Sequence, residues 1–173
     1  MPSNTIDLAV LSADTRELLA LLARHKVAYL LCGGAAVIYY GRVRTTGDVD
    51  IFYDRHPENA AKLFAVLTDF WGGNIPHLAG IEELQRSGFV LQFGVPPNRI
   101  DLINEIDGVK FADAWLCRKE LSMPTASGAV PIQLISLSDL IRNKEATGRL
   151  KDADRSEEHT SELQSPCNLV CRL

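Results

Sequence analysis

The sequence feature that most constrains the fold is the stretch RTTGDVDIF, residues 44–52, where two aspartates interrupt a run typical of a buried strand. Successive side chains on a strand leave opposite faces, so Val49 and Ile51 are predicted to face the core. Asp48 and Asp50 then share the other face, roughly 6.6 Å apart at the backbone. Carboxylates this close repel each other, and both stay ionised only if positive charge lies between them. A divalent cation such as Mg²⁺ would supply that charge, and a solvated polar sheet face is the alternative.

A pair of glycines precedes this strand. Gly33 and Gly34 follow the apolar run VAYLLC and open a short helical pattern, AAVIYYGR. Glycine at such a point lets a phosphate group approach backbone N–H groups, although a simple tight turn is the commoner explanation of such a pair. The pattern is neither a dinucleotide-binding fingerprint, which needs a third glycine, nor a Walker loop, which needs a following Gly-Lys-Ser/Thr.

A third acid, Asp101, lies inside the apolar run RIDLI. Ile100 and Leu102 alternate with it, so Asp101 is predicted to point away from the core face that they share. An edge or solvent-facing position is the alternative. Two aspartates on one strand and a third on another would make the ligand set of a two-metal site, which suits phosphoryl displacement.

Read along its length, the sequence predicts a helix, a strand, a helix, a strand, a helix, a β-hairpin, a strand and a last helix. The hairpin joins GFVLQFGV to NRIDLINEI, FADAW is a candidate helical turn, AVPIQLIS is the following strand, and LSDLIRNKEATGRLKDADR is the last helix. This order indicates an α+β (mixed α/β) fold, with a small mixed sheet and flanking helices.

The end of the chain differs in composition, because a polar stretch without hydrophobic periodicity follows Asp154. Residues 155–173, RSEEHTSELQSPCNLVCRL, resemble an in-frame translation of a common sequencing adapter. We therefore expect one domain over residues 1–154, a non-native tail over 155–173, and a natural chain that continues past Asp154. Cys167 and Cys171 lie in this tail, so we do not interpret them as half of a metal site.

Charge and hydropathy narrow the class of partner. The net charge of −4 argues against non-specific electrostatic binding of nucleic acid by the whole surface. A local basic patch that binds nucleic acid is still compatible with this charge. No run approaches the ~18 apolar residues of a membrane-spanning helix, and the N-terminus lacks a leader pattern. We expect a cytoplasmic protein with no membrane partner.

The order and spacing of these motifs resemble the DNA polymerase β-like nucleotidyltransferase superfamily. The resemblance rests on CGGAAVIYYGRVRTTGDVDI, with thirteen residues between Gly34 and Asp48, followed by Asp101 on a later strand. The segments YGRVRTTGDVDI and NKEATGRLKDADR are most similar to a small prokaryotic branch. That branch includes AbiEii-type toxins and minimal nucleotidyltransferases of toxin–antitoxin systems. The similarity covers roughly residues 27–154.

The resemblance implies a nucleotidyltransferase fold and an Mg²⁺-dependent enzyme that moves an NMP from an NTP, such as ATP, to a hydroxyl. Asp48, Asp50 and Asp101 would be catalytic and would bind two Mg²⁺ ions, with Mn²⁺ as a substitute. Asp101 would also help to deprotonate the attacking hydroxyl. Gly33 and Gly34 would cradle the triphosphate.

The resemblance further implies contacts from basic and polar residues. Arg44 and Thr46 would contact phosphate, with a solvated turn as the alternative. On the last helix Lys144 and Lys151, with Arg149 between them, would meet the triphosphate or an RNA acceptor. Complementing the helix dipole is the alternative for these three. Asp152 would orient Lys151.

Two classes of function follow. The first is an active enzyme of a toxin–antitoxin or phage-defence system, which modifies tRNA or a protein and has a cognate toxin or antitoxin partner. The second is an antitoxin or binding module that keeps the fold and neutralises a partner protein. The presence of all three aspartates favours the enzyme.

Overall fold

A computed structural model of the protein describes residues 11–41 and 47–148. The helices are α1 (Ala13–Arg24), α2 (Gly33–Tyr39), α3 (Pro57–Trp71), α4 (Ile81–Gln85), α5 (Phe111–Leu116) and α6 (Leu137–Ala146). The strands are β1 (Tyr29–Cys32), β2 (Asp48–Tyr53), β3 (Val90–Phe93), β4 (Arg99–Ile103), β5 (Lys119–Thr125) and β6 (Gly128–Leu134). The proposed tail at 155–173 lies outside the described residues.

The strands form one six-stranded mixed sheet in the order β3-β4-β2-β1-β6-β5. In its centre β2 pairs with β4 in parallel and with β1 in antiparallel orientation. β1 is parallel to β6, and the outer pairs β3–β4 and β5–β6 are antiparallel. The α+β fold with a mixed sheet and flanking helices is therefore confirmed.

Local sequence explains where the longer helices begin and end. Ser12 and Ser136 precede α1 and α6, and each side chain accepts a hydrogen bond from a backbone N–H of the first turn. Pro57 occupies the first turn of α3, where a missing N–H costs nothing. Gly72 ends α3 in the left-handed conformation, with φ of 65°.

The two faces of β2 have different neighbours. Tyr53 is buried and donates a hydrogen bond from its hydroxyl to the Leu84 carbonyl oxygen in α4. On the other face, Phe52 packs edge to face against Phe111 of α5. Asp50 shares this second face and lies against Gly33 at the start of α2. Helices thus cover both faces of the strand that carries the candidate site.

Two elements differ from the sequence prediction. The segment after Cys117 forms a β-hairpin, β5–β6, where only the second strand was predicted. β5 is an edge strand of sequence KELSMPT whose buried side chains are Leu121 and Met123, so its apolar pattern is weak. α4 has five residues, too few to show a helical period.

Within the described ranges, no helix combines the length and apolar character that crossing a membrane requires.

Candidate active site

Three carboxylates converge where β2 and β4 run side by side. The parallel register places Asp48 opposite Arg99 and Asp50 opposite Asp101. One oxygen from each of Asp48, Asp50 and Asp101 lies within 4.8 Å of the other two. The structure thus brings together the three acids that the sequence singled out.

The burial of these acids argues against a solvated polar face. Asp101 is only 6% exposed, and β4 lies between β2 and β3 rather than at an edge of the sheet. Asp48 and Asp50 are half-buried. Ionised carboxylates in such a setting need compensating positive charge or hydrogen-bond donors.

Asp50 is the acid with the least compensation. Burial raises its pKa, and the negative charges of Asp48 and Asp101 raise it further. The Gly34 backbone N–H, which donates to the Asp50 carboxylate, and the Lys144 ammonium act in the opposite direction. The net effect is a raised pKa, so the folded protein holds this negative charge at a cost.

The glycine pair lies directly against Asp50. Gly33 has φ of +56°, a left-handed conformation that L side chains rarely adopt. A Cβ at this position would overlap Oδ2 of Asp50. Two independent requirements therefore fix glycine here, and the turn brings backbone close to the acidic cluster.

Arg99 is a site residue that the sequence reasoning missed. Its Nη2 donates to Asp48 Oδ2 at 2.6 Å and to Asp101 Oδ2 at 3.0 Å, while its Nε donates to Asp101 Oδ1 at 3.0 Å. The hydrogen bonds to Asp101, and then its charge, raise the pKa of Arg99. The signal was present in the sequence, because Arg99 precedes Asp101 by two residues and so shares its face.

Of the predicted basic residues, Lys144 lies within the described part of the chain. It is half-buried in the last turn of α6, and its charge is close enough to lower the pKa of Asp50. Arg44, Thr46, Arg149, Lys151 and Asp152 lie outside the described residues.

The donor set suits a hard divalent cation. Mg²⁺ and Mn²⁺ prefer oxygen ligands, and here three carboxylates offer oxygens around a common point. Burial, and then the charges of Asp48 and Asp101, raise the pKa of Asp50, and a bound cation would oppose both effects. These residues could therefore hold a metal.

Comparison with known proteins supports the fold. No protein-family model matches the chain, and no curated protein matches it. A solved structure of a candidate nucleotidyltransferase from Thermotoga maritima is similar, with a TM-score of 0.50 and 14% sequence identity. The similarity covers 85% of this chain and 90% of that one. At this identity it shows the fold, and the nucleotidyltransferase fold expected from the sequence is confirmed.

Proposed function

We propose that the protein is an Mg²⁺-dependent nucleotidyltransferase, which moves an NMP from an NTP to a hydroxyl group of an acceptor. The observation that carries the proposal is the convergence of Asp48, Asp50 and Asp101 on neighbouring parallel strands. The similarity to a candidate nucleotidyltransferase over most of both chains supports it.

The three carboxylates would hold two Mg²⁺ ions, or Mn²⁺ in their place. When bound, such ions offset charge on the entering and leaving oxygens of an in-line displacement. Asp101 would accept the proton of the attacking hydroxyl, since it is buried beside the other two acids. The acceptor oxygen would bond to the α-phosphorus, the bond from that phosphorus to the bridging oxygen would break, and pyrophosphate would leave.

The residues around the acids would position the nucleotide. Gly33 and Gly34 are proposed to cradle the triphosphate on the sequence resemblance; in the structure the space that a Gly33 Cβ would fill is taken by the Asp50 carboxylate. Lys144 would pair with phosphate oxygens, because its charge already acts on Asp50. Arg44, Thr46 and Lys151 are proposed as further phosphate contacts on the sequence resemblance alone.

The acceptor and biological setting are proposed from the same resemblance. We propose tRNA or a protein as the acceptor and a toxin–antitoxin or phage-defence system of the AbiEii type as the setting, with a cognate toxin or antitoxin as partner. The free thiols Cys32 and Cys117 and the NTP substrate suit the cytoplasm.

A binding module or antitoxin with the same fold is the weaker candidate. Such a protein needs no cluster of three acids, and the raised pKa of Asp50 marks a destabilising charge. Residues that lower stability without contributing to packing are typical of catalytic sites.

The proposal is tested by incubating the protein with Mg²⁺ and each [α-³²P]NTP in turn, together with bacterial RNA and protein as acceptors. We expect covalent label on one acceptor class. An Asp48→Ala/Asp50→Ala variant should give no label, whereas an Asp69→Ala variant, altered on a half-exposed carboxylate of α3, should label normally. Equal labelling by the double variant would refute the assignment of these acids.

A further inference from the structure

Arg99 lies inside the cluster of acids, not beside it. Its guanidinium bridges β2 and β4 through hydrogen bonds to Asp48 at 2.6 Å and to Asp101 at 3.0 Å. The Nε bond to the second oxygen of Asp101, also 3.0 Å, makes the contact with that carboxylate bidentate. Bidentate pairing of this kind is among the strongest hydrogen-bonding arrangements that proteins use.

The guanidinium uses the oxygens that a divalent cation would need. Both oxygens of Asp101 and Oδ2 of Asp48 accept hydrogen bonds from Arg99. A cation that binds Asp48 and Asp101 must therefore displace Arg99 or share its oxygens with it. Arginine and a divalent metal are both positive, so sharing brings like charges together.

The position of Arg99 is set by the sheet. Arg99 and Asp101 leave the same face of β4 because they are two residues apart, and the parallel register places Arg99 opposite Asp48. The side chains of Arg99 and Asp48 are 32% and 33% exposed, so a cation can approach from solvent. Asp50 instead accepts a hydrogen bond from the Gly34 N–H.

We propose that Arg99 is an internal counter-cation, which offsets part of the negative charge of Asp48 and Asp101 in the metal-free protein and competes with the divalent ion for their oxygens. The inference rests on the proposed function, because it concerns the same metal-binding acids. It has two consequences: Arg99 stabilises the metal-free fold, and it lowers the intrinsic affinity of the site for metal.

The test is Mn²⁺ binding without nucleotide, with free ion counted by electron paramagnetic resonance. Arg99→Gln removes the competing charge, so we expect it to bind Mn²⁺ about tenfold more tightly than the wild type. Arg99→Lys keeps the charge but loses the bidentate fork, so its affinity should fall between the two. Arg24→Gln, which removes an arginine paired with Asp69 far from the acids in sequence, is the control and should bind like the wild type.

Thermal melting gives the second readout. In chelator Arg99→Gln should melt below the wild type, and added Mn²⁺ should close that gap. Mn²⁺ binding by Arg99→Gln and Arg99→Lys that is no tighter than wild-type binding would overturn the role of Arg99, while acceptor labelling by the wild type would leave the proposed function standing. Mn²⁺ binding by none of these proteins, together with absent labelling, would overturn both.

Discussion

The carboxylate of Asp50 is half-buried and lies close to two other acids, Asp48 and Asp101. Burial is the largest cause of its raised pKa, followed by the charges of Asp48 and Asp101. A raised pKa means that the folded protein binds the Asp50 proton more tightly than the unfolded chain does. The Asp50 carboxylate therefore lowers stability increasingly as pH rises from the ordinary pKa of aspartate through the raised pKa of the folded protein.

The first prediction follows from this sign. Asp50→Asn removes the charge while keeping an oxygen that can accept the Gly34 N–H. In chelator at neutral pH we expect a melting temperature a few degrees above the wild type. With Mg²⁺ present, acceptor labelling by the variant should be lost. The difference should shrink as the pH is lowered towards the ordinary pKa of aspartate and vanish below it. A lower melting temperature than the wild type at neutral pH would contradict the prediction.

The second prediction concerns Gly33. Gly33→Ala introduces a left-handed alanine, which costs about 1 kcal/mol, and also a Cβ that overlaps Asp50 Oδ2. Gly72→Ala is the matched control, because Gly72 has φ of +65° and nothing within 4 Å of an added Cβ. Denaturant unfolding should show a larger loss of stability for Gly33→Ala than for Gly72→Ala. Equal losses would mean that Asp50 moves aside freely.

Pairing between elements builds the site from distant parts of the chain. β2 supplies two acids, β4 supplies the third together with Arg99, and α6 brings Lys144 towards Asp50. No carboxylate of α6 belongs to the acidic cluster, whereas the positive charge of Lys144 acts on Asp50. We therefore propose that α6 binds the nucleotide and does not hold the metal.

The third prediction tests that division between elements. Lys144→Gln should raise the KM for the NTP about tenfold while leaving stability almost unchanged, because it removes an attractive charge from a partly exposed position. Lys62→Gln, on an exposed position of α3, is the control. Steady-state labelling at varied NTP concentration measures the effect, and an unchanged KM for Lys144→Gln would remove Lys144 from the nucleotide site.

Sequence pattern predicted the parts of the site that local chemistry determines. The alternation in β2 placed Asp48 and Asp50 opposite Val49 and Ile51, and the hairpin of β3 and β4 was also confirmed. The pairing of β2 with β4 could not be read in this way, because about fifty residues separate them and no local signal sets their register. The contact of Arg99 with Asp48 depends on that register, which is why Arg99 was missed.

At the scale of the whole molecule, binding of a metal is linked to the stability of the fold. A ligand that binds only the folded state raises the stability of the entire domain. The fourth prediction is that millimolar Mg²⁺ raises the melting temperature of the wild type but not that of Asp48→Ala/Asp50→Ala. An equal rise in both proteins would place the bound ions elsewhere.

The most direct test of nucleotidyl transfer compares the fate of the α- and γ-phosphates. The protein is incubated with Mg²⁺, acceptor and either [α-³²P]NTP or [γ-³²P]NTP, and both the acceptor and the released phosphates are counted. We predict that the α label becomes covalently attached and that the γ label appears in pyrophosphate. Covalent attachment of the γ label, which indicates a kinase, would contradict the account.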